Sequence, residues 1–264
     1  MKRIILTSLL FFCFAELNAA EGGPCKDYGE CDQFKPALND IASLQSGASV
    51  FLNYCYGCHS LKFSRWNRVA ADLEIPESLF FENLVFDSTI KPGDLMVGSM
   101  PSDSANWFGV EPPDLTLVTR YKGDDWVYSY LRAYYEDSSK VYGVNNLVYP
   151  GTAMPNVLEK LQGNQILSCK DVPVLASNGG EKRDEFGNTI TKQKCGYLKV
   201  KDGTGELSKE EFDSMIYDLT NFLVYVGEPA RADRERIGWY VVFFFIIFTA
   251  LSALLYREYA KDYH

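Results

Sequence analysis

The chain has 264 residues, 47% hydrophobic and 23% charged, with a formal net charge of −9. That length and composition suit one substantial globular core and exclude a disordered or collagen-like chain. The acidic balance argues against nucleic-acid binding and fits a surface that steers a basic partner.

Residues 1–20 have the layout of a secretory signal peptide: Lys2 and Arg3, an apolar run, then Ala19-Ala20. Residues 21–236 are read as an exported domain in an oxidising compartment. Of the seven cysteines, Cys13 leaves with the leader and Cys55 and Cys58 belong to a motif described below. The even remainder, Cys25, Cys31, Cys169 and Cys195, points to two disulfides, and joining near neighbours is the simplest of three pairings.

From 40 to 55, apolar residues fall at Ile41, Leu44, Ala48, Phe51 and Leu52, the stripe of an amphipathic helix. It runs into Cys55-Tyr56-Gly57-Cys58-His59, the C-x-x-C-H pattern of covalent c-type haem attachment. Two thiols on one turn can each bond a haem vinyl group while the adjacent imidazole binds iron from below. A zinc site would need two more ligands. A thioredoxin-like dithiol would follow a strand, whereas a helical pattern precedes this one. One covalently bound haem c is therefore expected.

Residues 91–113 and 142–155 read as loops rich in Pro, Gly and Asn. Between them a helix is expected with Asp124 or Asp125 as N-cap and Trp126, Val127, Tyr130, Leu131 and Tyr134 on one face. The polar stretch 163–205, bracketed by Cys169 and Cys195, reads as an inserted loop or hairpin. Its end resembles the close of an EF-hand loop with Glu211 at the last ligand position. Val200 stands where the first ligand belongs, so calcium is not expected. Ser208 and Glu211 form a capping box, followed by Phe212, Met215, Ile216, Leu219, Phe222, Leu223 and Val226 at helical spacing up to Gly227.

Residues 238–256 carry no charge. Nineteen residues at the helical rise reach about 28 Å, enough for one crossing of a hydrocarbon core. Trp239, Tyr240 and Tyr256 mark the two interfaces. A transmembrane helix over 237–257 and a cytoplasmic tail over 258–264 follow. The signal peptide outranks the loop charges in setting orientation, because Arg231, Arg234 and Arg236 precede the span.

The second iron ligand is approached by elimination. After the leader, the histidines are His59 and His264, the latter across the membrane. A methionine remains: Met96, Met100, Met154 or Met215. Met215 falls on an apolar helix stripe. Met154 lies in the small-residue loop Pro150-Gly151-Thr152-Ala153-Met154-Pro155, and Met100, before Pro101, is its rival.

Together, C-x-x-C-H after a helix, Glu111-Pro112-Pro113-Asp114-Leu115-Thr116, Gly123-Asp124-Asp125-Trp126-Val127-Tyr128, Ala153-Met154-Pro155 and a single C-terminal anchor resemble the cytochrome c1 family. That family is the haem subunit of the cytochrome bc1 complex, a ubiquinol:cytochrome c oxidoreductase. The resemblance runs from about residue 36 to the anchor; the insert 163–205 departs from it.

The resemblance implies a mostly α c-type cytochrome domain with one C-terminal transmembrane helix, on the periplasmic side of the inner membrane. Met154 would be the axial ligand opposite His59, Arg120 would face a haem propionate, and Pro112 would pack on the haem. The chain would contribute electron transfer without catalytic residues of its own. It would pass one electron from the Rieske iron-sulfur protein to cytochrome c beside cytochrome b, in a dimeric complex. The alternative is a membrane-anchored cytochrome c serving a terminal oxidase or a periplasmic dehydrogenase.

Overall fold

The computed structural model describes residues 25, 28–98, 100–174 and 180–263. The expected leader, 1–20, and His264 lie outside the described residues.

Two helices form the frame. Helix α1 (Ile41–Tyr54) starts at Asp40, whose carboxylate accepts the Ser43 N–H at 3.1 Å, and buries Leu44, Ala48, Phe51 and Leu52. The stripe read from the sequence is the face that packs. Its partner is the long helix near the C-terminal end of the domain, Lys209–Gly227, called α8 below. There the capping box is formed as expected: the Ser208 side chain accepts the Glu211 N–H, and Glu211 accepts the Ser208 N–H at 2.9 Å. Glu211 is thus engaged in starting the helix.

Phe51 meets Phe222 with ring centroids 5.8 Å apart. Polar pairing adds register to this apolar contact. Ser43 donates to Asp218 at 2.6 Å, and Asn221 both accepts the Ala37 N–H and donates to the Ala37 carbonyl. Buried polar atoms gain little net energy from such bonds but cost energy when left unpaired, so they select one alignment of the helices.

Between the two, the chain builds short elements: β1 (Leu61–Arg65), α2 (Trp66–Asp72), α3 (Glu77–Leu84), β2 (Leu95–Met96), α4 (Ala105–Phe108), α5 (Val118–Lys122), α6 (Asp124–Arg132), β3 (Tyr134–Glu136), β4 (Val144–Asn146) and α7 (Glu159–Gln162). Strand β1 pairs antiparallel with β2 and β3 with β4, so the two stretches read as loops each carry a strand. Trp66, Phe80 and Leu61 fill the core beside α1.

Helix α6 corrects one expectation. Gly123 occupies the N-cap with φ +93°, and Asp124 and Asp125 fall in the first turn, where acidic groups favour the helix dipole. Asp125 accepts the Phe34 N–H at 2.5 Å instead of capping its own helix. Tyr134 stands beyond the helix end, in β3.

Strands β5 (Gln165–Pro173) and β6 (Thr191–Val200) pair antiparallel as a hairpin. Cys169 faces Cys195 across the ladder and is disulfide-bonded to it; Cys25 is bonded to Cys31. Helices α8 (Lys209–Gly227) and α9 (Arg231–Tyr259) follow, and a short 3-10 turn, Ala260–Tyr263, comes after α9. None of the apolar window of α9 is buried against the domain, and its 29 residues reach about 43 Å. A side-chain surface that apolar, left uncovered along its length, is suited to lipid.

Candidate functional site

The last turn of α1 does not stop cleanly. Cys55 N–H reaches the Phe51 carbonyl at 2.9 Å, and Cys58 and His59 donate to the Cys55 carbonyl at 3.0 and 2.9 Å. These turns carry Cys55, Cys58 and His59 to one side of the helix end. Both thiols are free. Burial, with Cys58 adding to it, pushes the Cys55 thiol up to about 12 and keeps it neutral.

The motif is backed by two segments. Tyr56 donates to the Val97 carbonyl at 2.6 Å, Gly98 N–H donates to Ser60 Oγ at 2.8 Å, and a Cβ on Gly98 would lie 2.9 Å from the Tyr56 carbonyl oxygen. That position therefore admits only glycine without displacing the motif backbone. On the other side, the Asp114 carboxylate accepts Lys62 N–H at 2.7 Å and Thr116 N–H at 3.0 Å, tying the Pro-Pro-Asp-Leu segment to β1.

This tie places the Pro113 carbonyl 2.7 Å from His59 Nδ1. A carbonyl only accepts, so Nδ1 carries the proton and Nε2 presents its lone pair. Burial holds the imidazole below its ordinary value, while the Pro113 carbonyl and Asp114 pull the other way. A neutral ring, oriented by a hydrogen bond at its other nitrogen, is the form that ligates a metal.

His59 opens into a cleft with three walls. Tyr54, Cys55, Cys58 and His59 make the first; Phe108, Val110, Pro112 and Pro113 the second; Ala153, Met154, Pro155 and Val157 the third. The lining is almost wholly apolar, with two thiols, an imidazole and a thioether as its reactive groups. That donor set fits haem c: thiols for the vinyl groups, and nitrogen and sulfur for the iron. An apolar site with few placed polar groups also suits a flat hydrophobic cofactor.

The Met154 wall is held by two asparagines. Asn145 Oδ1 accepts Gly151 N–H at 2.8 Å, and Asn146 Oδ1 accepts Val148 and Tyr149 N–H at 2.9 and 3.1 Å. Met96 is fully buried in β2, Met215 packs on the core, and Met100 is outside the cleft lining. Pro112 lines the cleft. Arg120 lies on α5, 3.2 Å from Glu228, and does not line it. Sequence reading passed over Gly98, the Pro113 carbonyl and the two asparagines, since their roles exist only across segments distant in the chain.

Residues 35–263 match the Cytochrome C1 family. The chain is 45% identical to "Cytochrome c1" of Allochromatium vinosum over 267 residues, covering all of both chains. It is 38% identical to "Ammonia monooxygenase gamma subunit" of Nitrosomonas europaea over 85% of each chain. To "Cytochrome c1, heme protein, mitochondrial" of Schizosaccharomyces pombe it is 26% identical over 81% of this chain and 64% of that one.

Proposed function

The chain belongs to the cytochrome c1 family, and on that premise we propose how its residues carry the work of a haem electron-transfer subunit in a cytochrome bc1 complex. It binds one covalent haem c, is a single-pass membrane protein, and works with cytochrome b and the Rieske iron-sulfur protein. Bound in the cleft, haem c supplies a one-electron iron couple.

Cys55 and Cys58 would hold the haem through thioether bonds to its vinyl groups, so that it would not dissociate. His59, through Nε2, and Met154, through its sulfur, would hold the iron, and Pro112 would form part of the apolar wall for the cofactor. A thioether opposite imidazole favours reduced iron and raises the potential. With both donors engaged, the iron would be left without an open position for substrate, which suits electron transfer. Arg120, paired with Glu228 outside the cleft lining, would have to leave that ion pair to meet a propionate. The observation that carries the reading is the single apolar cleft shared by the thiols, the imidazole and the Met154 loop.

The Rieske protein is the donor and a cytochrome c the acceptor. Tyr54, Val110 and Val157, which line the cleft, are 42%, 52% and 38% exposed, giving an apolar contact point at its mouth. The acidic chain steers a basic acceptor toward it. We propose the periplasmic face for the domain; the Cys25–Cys31 and Cys169–Cys195 disulfides suit that compartment. The Nitrosomonas relative's name offers another assembly, but it covers less of the chain at lower identity.

Purification of the full chain from detergent-solubilised membranes tests this. One haem c per chain by pyridine haemochrome, with a b-type cytochrome and a Rieske protein in the same particle, is expected. Haem without either partner would transfer the chain to a terminal oxidase or a dehydrogenase.

A further inference from the structure

Four hydrogen bonds meet behind the Met154 loop. Tyr134 donates from its hydroxyl to the Met154 carbonyl at 3.2 Å. Its proton is spent there, so at 2.6 Å from the Tyr130 hydroxyl it accepts. Tyr130 in turn accepts from the Thr152 hydroxyl at 2.8 Å, and Thr152 Oγ1 accepts the Met154 N–H at 3.3 Å. Each hydroxyl donates once and accepts once, and the ring begins and ends on the backbone of one residue.

Tyr130 is also held from outside the ring. Its ring stacks on Trp126 at 4.9 Å and 7°, both on α6, and its carbonyl accepts Asn146 Nδ2 at 2.8 Å. Asn146 also holds the N–H groups of Val148 and Tyr149, so α6 grips the loop at two points. We propose that Tyr130 is a positioning residue for the Met154 sulfur, acting through this ring to fix both the N–H and the C=O of the Met154 peptide.

The inference rests on Met154 being the axial ligand. With both peptide groups held, the direction in which the side chain leaves the loop is set by α6 rather than by the loop's own conformational freedom. Hydrogen bonds arranged head to tail strengthen one another, and opening such a ring strands its buried neighbours. Tyr130→Phe keeps the stacked ring and removes only the hydroxyl, leaving the Thr152 donor and the Tyr134 acceptor unpaired. A less firmly held sulfur then competes less well for iron with an external ligand.

The test is imidazole titration of the oxidised, haem-loaded full chain in detergent, followed by its visible spectrum. Tyr130→Phe is expected to tighten imidazole binding roughly tenfold, the equivalent of one buried hydrogen bond. Thr152→Val and Tyr134→Phe should act in the same direction. The Tyr130→Phe/Thr152→Val double variant should do no more than its stronger single, because both open the same ring. A purely packing role for Tyr130 predicts an affinity within about twofold of wild type in Tyr130→Phe, and that result overturns the proposal. If Tyr130→Phe fails to load haem, Thr152→Val and Tyr134→Phe carry the test with the same criterion. Met154→Leu separates the two readings. If it tightens imidazole binding while all three ring variants do not, only the ring proposal fails. If it does not, the ligand assignment fails and the proposal falls with it.

Discussion

Met154→Leu is expected to abolish the sulfur-to-iron charge-transfer band at the red end of the oxidised spectrum and to lower the midpoint potential by on the order of 0.1–0.2 V. That is a fraction of the ~0.8 V range that haem axial ligands span. Leucine fills a similar volume in the apolar wall, so the change removes a donor atom more than it disturbs packing. Met100→Leu should leave band and potential in place, because Met100 does not line the cleft. Spectroelectrochemical titration of both variants reads the result directly. Loss of the band in Met100→Leu, with Met154→Leu unchanged, would reverse the ligand assignment.

Gly47→Ala carries the largest expected cost in stability. Gly47 is where α1 crosses α8, and a Cβ there would stand 2.0 Å from the Asp218 carbonyl oxygen and 2.8 Å from Phe222 Cβ. Alanine improves helix propensity by about 1 kcal/mol. Against that stands overpacking against backbone that cannot rotate aside, about 3 kcal/mol or more. Packing wins, for a net loss of roughly 2 kcal/mol and a fall in Tm of about 4–8 °C for a domain of this size. The effect also reaches the site, since α1 delivers Cys55 and His59 to the cleft. Thermal denaturation and the haem-to-protein ratio of the purified variant should fall together. A melting temperature equal to wild type would show that the helices separate at no cost.

What the sequence made legible was local. The α1 stripe, the Ser208–Glu211 capping box and the uncharged stretch within α9 each announce themselves within a few turns of helix. The C-x-x-C-H run does so in five residues. The Cys169–Cys195 hairpin was foreseeable because its cysteines bracket a polar segment.

The rest depends on contacts between distant segments. Asp125 looked like an N-cap by its position, yet its carboxylate is engaged by Phe34, 91 residues away, and Gly123 takes the cap. The pairing of Leu61 with Met96 carries no short-range signal. Nor does the spacing of Pro113 from His59 reveal that its carbonyl sets the imidazole tautomer. Tyr130 read as one more apolar position on a helix face, although its hydroxyl closes a ring on Met154.

The relay is tested most directly by stopped-flow reduction of this chain's haem in membranes on adding ubiquinol. The haem should become reduced when the Rieske protein is present, stay oxidised when that protein is extracted, and recover on its return. Reduction at the same rate without the Rieske protein would contradict the account.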